Sequence, residues 1–262
     1  MTASTLLDLL DLEEVDRDLY RGNAVFDDVW HLYGGQVAAQ ALRAAGLSVE
    51  AGRRPHSLHG YFLRSGDAAR PTVFQVFRDR DGRSFSARRV VALQGGEVIF
   101  NMSASFQVHE DGAEAQEPVM PTVPDPEAGQ PHGFGRLFSF EGRTVPQRYE
   151  NLEWPIRFWA RCTDNLKGDP LLNACALTYV SDVSTGLLPF NTPTHASSAS
   201  LDHAVWFHRL VDAEDWMLLD LAPHTASGGR GWYTGSVFAR DGRLVASYAQ
   251  EALFRRRRPR RT

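Results

Sequence analysis

A strand, a glycine turn and a second strand occur twice in this chain, 147 residues apart, and nothing else in the sequence limits the fold as much. Residues 83–98 (RSFSARRVVALQGGEV) lie over residues 230–245 (RGWYTGSVFARDGRLV). Arg83 meets Arg230, Val90 meets Val237, Ala92 meets Ala239, Gly95 meets Gly242 and Val98 meets Val245; Phe85 meets Trp232. Gln94-Gly95-Gly96 in the first copy and Asp241-Gly242 in the second sit at the same turn position, and such dipeptides are strong hairpin signals. The matching turn and apolar pattern predict an internal structural duplication.

The 262 residues suit that organisation, as two halves of ordinary domain size. Between them the stretch from Glu110 to Pro131 gathers acids (Glu110, Asp111, Glu114, Glu117, Asp125, Glu127) and prolines (Pro118, Pro121, Pro124, Pro126, Pro131). Proline removes amide donors and the acids repel one another, which predicts an extended linker. In the first half Val37, Ala38, Ala41, Leu42 and Ala45 recur at helical spacing, with Gly46 as the expected C-cap. Strand-like segments follow at 57–63, 72–77, 84–93 and 98–108. The second half repeats this grammar: Ser200 to His208 echoes Ser57 to Arg64, and a hairpin closes both halves. One helix followed by consecutive antiparallel strands is an α+β arrangement. Duplicated in one chain, it describes a double hot-dog: two tandem units, each a central helix wrapped by a curled antiparallel sheet. The expected division is an N-terminal unit at 1–109, an acidic Pro-rich linker at 110–150, and a C-terminal unit with a basic tail at 151–262.

Composition excludes several classes. With 43% apolar and 23% charged residues the chain is not predominantly disordered. No apolar run approaches the ~20 residues of a membrane span. The N-terminus is acidic and lacks the basic region of a secretory signal. Cys162 and Cys175 belong to no CxxC pair, so free thiols in a reducing cytoplasm are expected. The net charge of −4 sums an acidic body and a basic tail (Arg255 to Arg258, Arg260, Arg261), and so acidic a body is a poor nucleic-acid binder. GxSxG, a phosphate loop and HExxH are absent, and 229–235 resembles GxGxxG only between two strands. No cofactor and no metal are implied.

What remains is a set of polar residues in apolar registers. Gln250 shares a strand face with Leu244, Ala246, Tyr248, Ala252 and Phe254, and a buried amide must find partners. Asp182 falls on Gly35 at the 147 offset, so it is either a helix N-cap or a carboxylate held for base chemistry. Ser200 heads SLDHAVWFH, where alternation places Ser200, Asp202, Trp206 and His208 on one face and His203 on the other; Asp202 is the rival base. A carboxylate, a hydroxyl and an amide together can orient one water for attack on an activated carbonyl. The amides of Gly34 and Gly35, at the predicted helix start, are candidates for stabilising an oxyanion.

Seven stretches carry a resemblance: LYRG (19–22), YGGQVAAQAL (33–42), HSLHGYFLRSGD (56–67), DGRSFSARRV (81–90), NMSASF (101–106), SLDHAVWFHR (200–209) and DGRLVASYAQE (241–251). Together they resemble the type II acyl-CoA thioesterases (TesB-like), which are double hot-dog proteins. The resemblance implies hydrolysis of medium- to long-chain fatty acyl-CoA by water activated by Asp182, Ser200 and Gln250. It also implies one site per chain, between the halves, and assembly into dimers or tetramers. A non-catalytic acyl-CoA or acyl-carrier binding protein on the same fold is the alternative. A departure stands after Asp182, where Val-Ser-Thr-Gly replaces a bulkier apolar sequence. The basic tail reads either as a solvated end or as a contact for CoA phosphates or an acidic partner.

Overall fold

The computed structural model describes residues 5–24, 31–135 and 137–257. Among these, the elements run α1 (Leu6–Leu10), β1 (Glu13–Asp16), β2 (Leu19–Gly22), α2 (Gly34–Leu47), β3 (Arg53–Phe62), β4 (Thr72–Asp81), β5 (Phe85–Gln94) and β6 (Glu97–Val108). They continue as β7 (Gln130–His132), β8 (Phe140–Thr144), β9 (Arg157–Cys162), α3 (Pro170–Ser181), β10 (His195–Ser200), β11 (Asp202–Phe207), β12 (Met217–Ser227), β13 (Arg230–Ala239) and β14 (Leu244–Arg256). The strands form one sheet in the order β1-β2-β4-β5-β6-β3-β11-β14-β13-β12-β9-β8-β7, with β10 paired to β14. Outward from the β3–β11 pair the two sides mirror each other, and every ladder is antiparallel. The chain order strand, helix, four strands occurs twice, as β2-α2-β3-β4-β5-β6 and β9-α3-β11-β12-β13-β14, apart from the added β10.

The helices lie against this sheet for a compositional reason. On α2, Ala38, Ala39, Ala41, Leu42, Ala44 and Ala45 are all fully buried. Small side chains let a helix be covered on most sides, and such a helix is apolar nearly all round. α3 is similar, with its start fixed by Pro170 at the first position and by Asp169, whose carboxylate accepts the amides of Leu171 and Leu172. Each fully buried Leu or Phe of this core stabilises the fold by about 1.5–3 kcal/mol. The buried Arg88 of β5 holds the far end of α2: Nε donates to Ser48 Oγ at 2.8 Å and Nη2 to the Ser48 carbonyl at 3.1 Å. A cation at a helix C-terminus also complements the helix dipole.

Four expectations need correction. Gly46 is inside α2, which runs on to Leu47 and is capped at Ser48. The glycine serves packing instead, since a Cβ there would strike the Leu171 side chain of α3. The expected linker is extended and irregular only to Asp125; β7 and β8 then join the sheet edge beside β9. The fixed offset holds for the closing hairpins but fails at the helices. Only residues 48–52 separate α2 from β3, whereas α3 is followed by a long excursion through β10 before β11. Asp182 therefore ends α3 instead of opening a helix. Of the basic tail, Arg255 and Arg256 extend β14 against β10, and Arg257 donates to the Thr192 carbonyl; Arg258, Arg260 and Arg261 lie outside the described residues.

The strand expectations fare better: 57–63, 72–77, 84–93 and 98–108 fall on β3 to β6, each within a few residues at both ends. Gly95, Gly96 and Gly242 take positive φ (58°, 83° and 89°) at the two hairpin turns, where a side chain would be strained. Both cysteines are free and buried. No helix among the described residues is long and apolar enough to cross a membrane.

Candidate active site

A cavity of about 920 Å³ opens where the two halves meet. Its apolar wall includes Val37, Phe62, Ile99, Phe134, Leu137 and Tyr179, and its polar wall includes Gly34, Asp182, Ser184 and Ser200. His31, Arg64 and Ser65 also line it. The volume lies in the range of small-molecule sites.

Asp182 reaches this wall because α3 ends there, at φ −86° and ψ 24°. Its carboxylate is buried and collects donors. Gln250 Nε2 donates to Oδ1, Ser200 Oγ lies 3.3 Å from Oδ1, and Ser184 Oγ lies 3.4 Å from it. Gln250 Nε2 also donates to Ser200 Oγ at 2.7 Å, and the two serine hydroxyls are 2.9 Å apart. The backbone amide of Gly35 bonds to Asp182 as well. Burial pushes the carboxyl up to about 6, against the opposing pull of the Gln250, Ser200, Ser184 and Gly35 donors.

Asp182, Ser200 and Gln250 thus come together as one hydrogen-bonded group. Gln250 stands behind the other two and is fully buried, as its strand face required. Asp202 is elsewhere: Oδ1 accepts the Glu251 amide at 2.6 Å, and its half-buried carboxylate serves the β14 backbone. The expected common face of Ser200 and Asp202 is broken at Leu201, which separates β10 from β11, and the β10–β14 register shifts between Ser197 and Ser200. The kink turns Ser200 inward while Asp202 stays outside. The helix-cap and carboxylate readings of Asp182 turn out to be compatible. Tyr33, the N-cap of α2, makes no side-chain cap, and Asp182 satisfies the second amide of that helix from the other half of the chain. That bond occupies the Gly35 amide, so of the two glycines it is Gly34 that lines the cavity.

His203 points into the core, with Nε2 2.8 Å from Ser181 Oγ. Ser181 also donates to the Thr178 carbonyl, so it accepts from His203, and the imidazole carries its proton on Nε2. Burial pushes this histidine down to about 3. A histidine buried neutral contributes stability above its unfolded pKa of about 6.5, and that contribution is lost as pH falls toward 3, up to about 5 kcal/mol. Urea midpoints measured from pH 7 to pH 3 are expected to fall less steeply for His203→Gln than for the wild type. Equal slopes would assign the acid sensitivity to other groups.

Two residues of this network were not anticipated. Ser184 bonds both Asp182 and Ser200 from a left-handed backbone (φ 53°). Tyr233, fully buried on β13, donates its hydroxyl to Gln250 Oε1.

The family model for the acyl-CoA thioesterase N-terminal domain matches residues 26–107, and that for the C-terminal domain matches residues 110–254. The chain belongs to the type II acyl-CoA thioesterase family. Members of this family are thioester hydrolases. The chain is 35% identical to acyl-coenzyme A thioesterase 8 of Rattus norvegicus, over 94% of this chain and 88% of that protein. Among solved structures it resembles the acyl-CoA thioesterase II TesB2 of Mycobacterium marinum, at 39% identity and a TM-score of 0.80 over 98% of both chains. A hot-dog protein of unknown function from Alicyclobacillus acidocaldarius shares the fold at 21% identity, with a TM-score of 0.77 over 96% of this chain and 97% of that one.

Proposed function

We propose that this thioesterase hydrolyses medium- to long-chain fatty acyl-CoA through water activated by Asp182, Ser200 and Gln250, in a double hot-dog whose halves meet at the β3–β11 pair. The observation that carries the reading is a buried carboxylate on the wall of an apolar cavity, fixed by two side-chain partners of complementary type. The water oxygen attacks the thioester carbonyl carbon while its proton passes to Asp182. The Gly34 amide, in the first turn of α2, supports the negative charge that develops on the carbonyl oxygen. Collapse of the tetrahedral intermediate breaks the C–S bond. The thiolate leaves and takes the proton from Asp182, giving CoA and the fatty acid. Gln250 holds the carboxylate and the Ser200 hydroxyl in one orientation, so little reorganisation is needed at the moment of attack.

A base works best with a pKa near the working pH, and the burial of Asp182 moves it that way. The carboxylate must be ionised to accept a proton, so kcat/KM is expected to fall as pH drops below about 6, following one titrating group. Thiol release from a series of acyl-CoA esters of increasing length, followed from pH 5 to pH 8, tests both parts. A series with no release from any ester would remove the hydrolase reading, and binding without release would favour an acyl-CoA binding protein.

A further inference from the structure

We infer that Tyr233 is a positioning residue of the hydrolytic site: its hydroxyl locks the side-chain amide of Gln250 in the orientation that serves Asp182, and Gly186 is the gap that admits its ring. The inference rests on the reading of Asp182, Ser200 and Gln250 given above. Tyr233 faces Gln250 directly across the β13–β14 ladder. Asp182 offers Gln250 only acceptor oxygens, so Nε2 must turn toward the carboxylate. That leaves Oε1 pointing into the interior, where it needs a donor. The Tyr233 hydroxyl is that donor. Burial pushes the phenol well above its ordinary value, so it keeps the proton that it donates to Oε1.

Space has been cleared for the ring. A Cβ on Gly186 would lie inside the van der Waals contact of the Tyr233 ring carbons. Gly186 stands four residues after Asp182, and Ser184 between them also hydrogen-bonds to Tyr233. The loop after the carboxylate and the strand opposite Gln250 are therefore fitted to each other. Packing alone does not account for the hydroxyl, since phenylalanine would fill the same seat. Tyr248 provides the contrast: it is equally buried, on the next inward pair of the same hairpin, and its hydroxyl has no partner among the described residues.

The test is a double-mutant cycle. Steady-state kcat and KM are measured on one acyl-CoA substrate for the wild type, Tyr233→Phe, Gln250→Ala, the pair combined, Tyr248→Phe and Asp182→Asn. Tyr233→Phe is expected to lower kcat about tenfold, the scale of one lost buried hydrogen bond, with KM within about twofold. Added to Gln250→Ala it should cost nothing more, because Tyr233 acts through that amide. Tyr248→Phe should match the wild type. The titratable groups that sense the Asp182 charge are Tyr33, Tyr233 and Tyr248, all raised by burial and neutral. Loosening the Gln250 donor should therefore appear as an upward move of the acid limb of the pH profile, which a packing defect would not produce. Losses that multiply in the combined variant overturn the inference, as does a Tyr248→Phe defect of equal size. Wild-type kcat in Tyr233→Phe, with Asp182→Asn inactive, overturns the positioning role alone. An active Asp182→Asn overturns the site reading and the inference with it.

Discussion

Replacing Asp182 with asparagine is expected to lower kcat/KM by about 10²–10⁴-fold, the range that general base catalysis supplies, without unfolding the protein. Asparagine keeps the shape and can still accept from Gln250 and Ser200, but it cannot take a proton from water. Stability should move the other way. The folded carboxyl titrates near 6 and the unfolded one near 3.8, so the fold favours the protonated form. That preference stabilises fully below pH 3.8 and is lost as pH rises through 6, which leaves the ionised carboxylate costing about 3 kcal/mol at pH 7. The variant does not titrate, so its thermal midpoint at pH 7 should be no lower than that of the wild type. The wild type should also lose stability between pH 4 and pH 6 relative to the variant. Melting curves at pH 4.5 and pH 7, beside the activity, check both halves. Activity within twofold of the wild type would mean that another group is the base.

How legible each feature is in the sequence depends on how local its signal is. The closing hairpins were legible because Gly95-Gly96 and Asp241-Gly242 carry their own turn chemistry and the flanking strands alternate cleanly. Gln250 was legible as buried for the same reason: period two within one strand needs no knowledge of the rest. α2 was legible from its apolar spacing, but its end was not, because Gly46 answers to Leu171 on a helix more than a hundred residues away. Ser200 could not be oriented from alternation, since the kink at Leu201 depends on where β14 offers partners to β10 and β11. Tyr233 is not legible for another reason: its role depends on which way the Gln250 amide faces, and that is set by Asp182 from a different element. The bond from Asp182 to the Gly35 amide joins the two halves, and such a contact has no signature within either.

Gly34→Ala is the second substitution expected to have a large effect, and its sign is what makes it informative. In an exposed helix, Gly→Ala favours folding by up to about 1 kcal/mol, because alanine loses less backbone freedom. Here a Cβ would overlap Asp182 Oδ2 and approach the Phe62 ring carbons to 2.9 Å. A carboxylate at the end of a free side chain would swing away at little cost. This one is held by Gln250, Ser200, Ser184 and the Gly35 amide, so moving it breaks several bonds at once. A displacement of about 1 Å at a reacting group can cost about 10²-fold in rate, and a loss of that size in kcat is expected, together with a lower thermal midpoint. Both measurements are needed. A lower midpoint with unchanged kcat would mean that the ring of Phe62 gives way and the carboxylate stays put. Lower kcat with a lower midpoint would show that the absent side chain at position 34 is what lets the first turn of α2 and the Asp182 carboxylate of the other half occupy the same small space.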